Sequence, residues 1–495
     1  MRAWLALCAL VWAGPAATAE LRVSIPSPPF NRGDPFQAPG PPNLYVAPAI
    51  FDALTRIDGD GRLHPVLATA WRGSDDARTW TFTLRRGVTF SNGRPFDADA
   101  VVAALTYLTG DPLPSDLNAI EFANVAGTRA LDSHTVEIVS RTPAPMLPRV
   151  ASVLYAVEPA TWRLLGPVDF SYRPVGTGPF QVSRWGAAEV TMTANRASWR
   201  PPRVDALTIH FQQDATARLQ GLLAGQIDIV MGASPEDRGV LEAAGARVHV
   251  VAIPAVVALM LNATKPGSPF ADVRVRRAVN FAVDKERLVR VFYGGAVAPA
   301  GQPAARVALG YDPELAPYPY DPARATALLR EAGYGDGFAF TLEAVVGSTG
   351  GDGAVYQQIA ADLARVGIAM EIRPISNARF GQSFRGGVWT AEAFSFFFGA
   401  EPAFDALRPL VYYRCGWPNA TYCDPEVEPL FAAADAAATL DARAQVSRRI
   451  MARYRDQGSA LFLYDAPRFH ATGPRVTGFR MDHNMIHFED IALGE

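Results

Sequence analysis

The sequence predicts an α/β protein with open sheets distributed over two or three domains. At 495 residues the chain is too long for a single small core. Capped helical patterns alternate with short apolar strands along its whole length. Apolar residues make up 49% of the chain and charged residues 19%, a balance with ample material for burial. The formal net charge of −3 is too small to point to nucleic acid or an anionic membrane as a partner, and no basic stripe with interleaved aromatics occurs.

The first element is a targeting segment. Arg2 precedes an apolar run over residues 3–13, and Ala17-Thr18-Ala19 has the small-x-small pattern of a signal-peptidase site. Cleavage after Ala19 and export are expected. Leu7 before Cys8 argues against a lipid-modified cysteine. No later run reaches the roughly 18 to 20 apolar residues of a membrane span.

A strand over residues 21–25 leads into a proline-crowded, extended segment ending at Pro42. Asp58-Gly59-Asp60-Gly61 makes a hairpin turn between residues 54–57 and 62–63. Trp80, Phe82 and Leu84 alternate with threonines, as in a half-buried strand. After the turn at Ser91-Asn92-Gly93, Asp97 or Asp99 caps a helix whose buried stripe is Val101, Val102, Leu105 and Leu108. Asp111-Pro112 follows it, and an alternating strand covers residues 135–139.

In Pro174-Val175-Gly176-Thr177-Gly178-Pro179-Phe180 the glycines permit a tight backbone path. A phosphate loop would need a helix start and a lysine, which are missing there. Gly225 ends a helix over 218–224, and Ile227 and Ile229 then share a strand face. Residues 247–261 are β-branched and apolar, with Pro254 in the middle. Asp272 and Asp284 cap successive helices. Asp321, Pro322 and Gly333 mark the cap, first turn and stop of another. Helices over 355–366 and 441–457 each precede a strand, 368–372 and 460–464.

The run from Asn43 to Leu108 resembles the signature region of the family 5 extracellular solute-binding proteins, the peptide- and nickel-binding receptors of ABC transporters. Ile50-Phe51-Asp52-Ala53-Leu54, then Pro65-Val66-Leu67-Ala68-Thr69-Ala70-Trp71, then residues 81–101 follow the family's "LFEGL", "P.LA..W" and "TFTLR.GV.F..G.P" motifs in order. Residues 174–180, 224–229 and 262–295 are similar to later family motifs. The resemblance implies a two-lobed clamp of the type II periplasmic-binding-protein class, with an inserted third subdomain. Residues 20–45, 175–253 and 476–495 would form lobe I, 46–174 the inserted subdomain and 254–475 lobe II. The chain would cross between lobes near 251–254 and 474–476, making a hinge.

Catalytic patterns are few. The chain has no G-x-S-x-G, H-E-x-x-H or Walker sequence. His483 and His487 are spaced i, i+4, but on a strand that spacing does not converge on a metal. Asp58-x-Asp60 opens like a calcium loop, but the later ligand positions hold Arg62, Leu63 and Thr69. Once Cys8 is removed, Cys415 and Cys423 are expected to form one disulfide in an oxidising compartment. A metal or redox pair would need a CxxC spacing or a nearby histidine.

Residues 386–422 concentrate aromatics beside Glu401, Arg408 and Arg414. The phenylalanine run 396–398 reads as core, while aromatics at a lobe boundary suit a concave site. In peptide-binding relatives the corresponding stretch carries an aspartate for the peptide's amino terminus. This chain lacks it in register and offers Glu401. The expected ligand contacts are Asn31, Phe36 and Tyr45 from the first lobe, Trp389, Phe398, Glu401 and Arg414 from the second, and Tyr464 or Asp465 near the returning crossover.

The function expected from the resemblance is that of a monomeric periplasmic receptor. It would capture a small peptide or peptide-like solute and deliver it to an ABC permease, without cofactor, metal or catalysis. An opine, a glycan or chelated nickel are alternative ligands. A secreted hydrolase using two carboxylates is the alternative from another class, since such pairs have no fixed spacing.

Overall fold

The computed structural model describes residues 19–37, 40–110, 117–346, 351–386 and 389–494. The proposed leader before Ala19 and the Asp111-Pro112 break lie outside them. The expected elements form where caps and stops place them. Asp97, Asp272, Asp284 and Asp321 each accept a backbone N–H of the helix they precede. Gly333 and Gly367 take positive φ just beyond helix ends. The helix Leu440–Asp456 is capped by Thr439. In the helix Ala98–Leu108, Ala104 joins Val101, Leu105 and Leu108 in the buried face, and Val102 is half-exposed.

Ten strands form one mixed sheet through the molecule. Their order is Ile368–Ile375, Phe338–Val345, Ala393–Gly399, Arg247–Leu261, Ala460–Thr472, Ile229–Met231, Glu20–Ile25, Ala206–Phe211, Glu189–Ala194 and Phe180–Trp185. The two long central strands pair antiparallel with each other. On one side Arg247–Leu261 pairs with Ala393–Gly399, and on the other Ala460–Thr472 pairs with Ile229–Met231. A separate four-stranded sheet, Ala68–Gly73, Thr79–Leu84, Thr135–Ser140 and Val125–Asp132, belongs to the inserted segment.

The apolar cores divide along the same line. One is built mainly from residues between Leu21 and Met231, joined by Val476, Ile486, Phe488 and Ile491 from the C-terminus. Two others are built from residues between Ile253 and Phe469. Phe469 still packs in the second region, whereas Ala471 packs with Leu222, Val230 and Leu241. Core membership therefore changes inside the strand Ala460–Thr472.

Three distant motifs meet at Asp52. Its carboxylate accepts from Thr177 Oγ1 at 2.7 Å, Trp199 Nε1 at 2.9 Å and Arg200 Nε at 2.7 Å. Gly178 N–H donates to the Ile50 carbonyl at 2.9 Å. A Cβ at Gly176 would overlap that carbonyl oxygen, and one at Gly178 would lie 2.6 Å from its carbon. Both glycines are required by backbone approach. The Cys415–Cys423 disulfide is formed, with Cα atoms 4.9 Å apart.

Lys285 is 3% exposed, and its ammonium donates to Asn280 Oδ1 at 3.1 Å with no carboxylate partner among the described residues. Burial first, and then the Arg455 charge, lower its pKa from 10.5 to about 7. Between those values the unfolded chain holds a proton that the native chain lacks, so this residue makes stability rise with pH. Below about pH 7 its destabilisation is complete. At about 1.4 kcal/mol per unit, that exceeds the roughly 1–3 kcal/mol cost of leaving Asn280 Oδ1 unsatisfied. Lys285→Met is expected to raise the melting temperature by several degrees at pH 6, with the gain shrinking toward pH 10, as measured by calorimetry across that range.

Candidate ligand-binding site

The loop after Ala393–Gly399 carries the second lobe onto the first. Asn484 Nδ2 donates to Glu401 Oε1 at 2.7 Å. Arg149 Nε donates to the Ala403 carbonyl at 2.7 Å, and its Nη1 donates to the Gly61 carbonyl at 3.0 Å. Arg408 pairs with Glu121 at 2.7 Å. These contacts hold the lobes together. Leu44, Ile57, Glu401, Phe404, His483 and Asn484 border a residual cavity of about 20 Å³, room for a single water.

Tyr45, from the helix Asn43–Ile50, is 3% exposed beside this contact. Burial pushes its phenol up to about 12, against the pull of Arg468 and Arg218 and with a smaller push from Glu401. Its ring meets His470 edge-on at 6.0 Å. His470 is fully buried and accepts from the Gly232 N–H at 3.3 Å through Nδ1. Burial, followed by the charges of Arg468 and His249, lowers its pKa to about 3, so the ring is neutral. Enclosure raises the Glu401 pKa, while Asn484, Arg468 and Arg408 oppose that rise. Arg218 donates to the carbonyls of Gln212, Gln213 and Gly232 and is fixed by backbone alone. The charges of Arg468, Glu401 and Arg218 all act on the Tyr45 phenol at the lobe boundary. That is chemistry for a ligand bearing both an ammonium and a carboxylate.

Of the nine expected contacts, Tyr45 and Glu401 belong to this cluster. The other seven have partners within the protein. Phe398 is fully buried against Tyr413 and Phe462. Trp389 packs on Phe394 and Phe380 beyond the end of the strand opposite Glu401. Arg414 pairs with Asp435 at 3.2 Å and lies over Phe431. Tyr464 shares a buried hydrogen bond with Tyr293 at 2.9 Å. Phe36 is fully buried between Tyr107 and Trp162. Asn31 donates to Asp34 Oδ2 at 3.0 Å in a turn. Asp465 pairs with Arg306 at 3.1 Å, and burial lifts its pKa to about 6.

Sequence reasoning missed Arg468, Arg218, His470 and Asn484. Arg468 had a signal: it is the one basic residue of the strand ALFLYDAPRFHAT, where a charge needs a reason. The other three had none, because nothing in their local patterns links them to residue 401.

His487 and His483 do not share a strand. His483 lies in the turn between the strands Met481–Asp482 and Met485–Ile486, and His487 follows the second strand. His487, Glu489 and Asp490 offer ligand atoms within 4.8 Å of one another. Arg200 already pairs with Glu489 at 2.7 Å, Arg480 with Asp490 at 2.7 Å, and Asp482 with His487 at 2.8 Å. Guanidiniums fill the role a cation would take.

Comparison with known proteins identifies the family. Residues 62–412 match the family model "Bacterial extracellular solute-binding proteins, family 5 Middle". The chain is 31% identical over 351 residues to the glutathione-binding protein GsiB of Salmonella choleraesuis, covering 68% of this chain and 67% of that one. It superposes on an ABC transporter substrate-binding protein from Sinorhizobium meliloti with a TM-score of 0.79 at 25% identity, covering 96% of this chain and all of that one. The periplasmic binding protein DppA from Helicobacter pylori in complex with the peptide STSA gives 0.76 at 22% identity, covering 97% and 99%. Among the described residues no helix is long and apolar enough to cross a membrane. The two-lobed type II clamp is thus the fold, the role is solute binding for an ABC importer and not catalysis, and the chain belongs to the family 5 bacterial extracellular solute-binding proteins.

Proposed function

We propose that this protein is a monomeric periplasmic receptor, cleaved after Ala19, that closes on a short peptide bearing a free ammonium and a carboxylate and delivers it to a permease. One observation carries the reading: Glu401 and Arg468, of opposite charge, both act on the buried Tyr45 at the lobe boundary. Glu401 would take the ammonium and Arg468 the carboxylate. The glutathione named for GsiB and the peptide bound to DppA have this chemistry. The hinge would be the break in the central ladder, where Ala252↔Pro467 pairing gives way to Val256↔Asp465. Ligand contacts to both lobes favour the closed state only by their differential affinity.

Glu401→Gln removes a charge-assisted bond of about 1.5–3 kcal/mol. It is expected to weaken a free-amino tetrapeptide such as Ser-Thr-Ser-Ala, or glutathione, by about tenfold to a hundredfold in titration calorimetry. The N-acetylated peptide should bind the parent weakly and be insensitive to the substitution. Equal affinity of parent and variant for the free amine would remove the ammonium assignment.

The raised pKa of Glu401 sets the sign of a pH effect. Ligand binding needs the carboxylate, so affinity falls as pH drops through that raised pKa, starting above the ordinary glutamate range. Calorimetry of the parent from neutral to acid pH should show this loss, and Glu401→Gln should flatten it.

A further inference from the structure

A second cavity, of about 300 Å³, lies wholly outside the lobe boundary. Its walls come from residues 48–56, 65–66, 85, 152–155, 199–200 and 485–489, and none comes from the second lobe. Pro48, Phe51, Val66 and Ile486 make much of the surface apolar. Three guanidiniums, two carboxylates and His487 also line it, and one guanidinium has no carboxylate of its own among the described residues.

The pairing identifies which one. Arg200 is saturated by Asp52, by Glu489 and by the Pro48 carbonyl at 2.7 Å. Arg56 is held by Asp482 at 3.3 Å. Arg85 donates Nε to the Val66 carbonyl at 2.8 Å and lies 4.4 Å above the Trp199 ring. Among the described residues it has no ion pair, which leaves its two terminal nitrogens as a fork at the cavity wall.

We propose that this cavity is a second ligand site, independent of lobe closure, that takes a small monocarboxylate with an apolar body. The carboxylate sits on the Arg85 fork against Trp199, and the body fills the apolar end. A dianion such as phosphate is disfavoured by Asp52 and Glu489 on the same walls. Arg85, the guanidinium without a carboxylate, matches one negative charge. The size suits a molecule of about ten heavy atoms, at the low end of ligand cavities.

The test uses 4-fluorobenzoate, followed by fluorine NMR and calorimetry on the full mature chain. The parent is expected to bind it saturably with a Kd of about 0.1–1 mM. Arg85→Gln should weaken binding at least about tenfold, Val66→Phe should block it from the rim, and Arg468→Gln should leave it unchanged. Val66→Phe keeps the test decisive if Arg85→Gln fails to fold by circular dichroism. Absence of saturable binding to the parent, parent-like binding by either cavity variant, or loss in Arg468→Gln would overturn the proposal. The last outcome would place the probe at the lobe boundary. Inorganic phosphate displacing the probe at equal concentration would overturn the monocarboxylate assignment.

Discussion

The structure depends on one antiparallel pairing, that of Arg247–Leu261 with Ala460–Thr472. Each strand is long enough to serve both lobes, so the pair is at once the centre of the sheet and the link between cores. Its ladder is not continuous. Residues 253–255 stand opposite Ala466 alone, and Pro254 and Pro467 lack the N–H that a regular ladder needs. The groups released there bond outside the pair: the Pro254 carbonyl accepts from Ala400 N–H at 2.8 Å, and Asp465 N–H donates to the Ala298 carbonyl at 3.0 Å. A joint with few mutual hydrogen bonds between two well-packed cores can bend without unpacking either.

On the first-lobe side the rigid reference is Asp52. Donors from Thr177, Trp199 and Arg200 converge on it, and Gly176 and Gly178 let the backbone of residues 174–180 lie against Ile50. The same guanidinium reaches Glu489, tying the C-terminal segment to the helix Asn43–Ile50. Tyr45 is on that helix. The network therefore also fixes the position of Tyr45, and in balancing its own charges it leaves Arg85 without a carboxylate among the described residues.

Electrostatics at the lobe boundary is set by enclosure. Glu401 and Tyr45 are both pushed toward their neutral forms, and Arg468 opposes that push at each. A ligand ammonium beside Glu401 would restore the ionised carboxylate. Binding and ionisation are coupled for that reason, and closure, which supplies the enclosure, is coupled to both.

Local patterns in the chain determined the helices, their caps and stops, the hairpin at residues 58–61, the disulfide and the order of motifs that identifies the clamp. These depend on neighbours within a few residues, where periodicity and capping act. The sequence offered Tyr45 from the first lobe and Glu401 in place of the aspartate that the chain lacks in register. In the aromatic stretch 389–422, Phe398 and Trp389 have the residue type of a binding wall, and both pack in the core beside the ten-stranded sheet. Arg468, His470, Asn484 and the unmatched Arg85 were decided only by tertiary structure. Each acquires its role from groups distant in sequence, 83 residues away for Asn484 and Glu401, or from the lack of a carboxylate, and no local spacing encodes which charges will be neutralised across a fold.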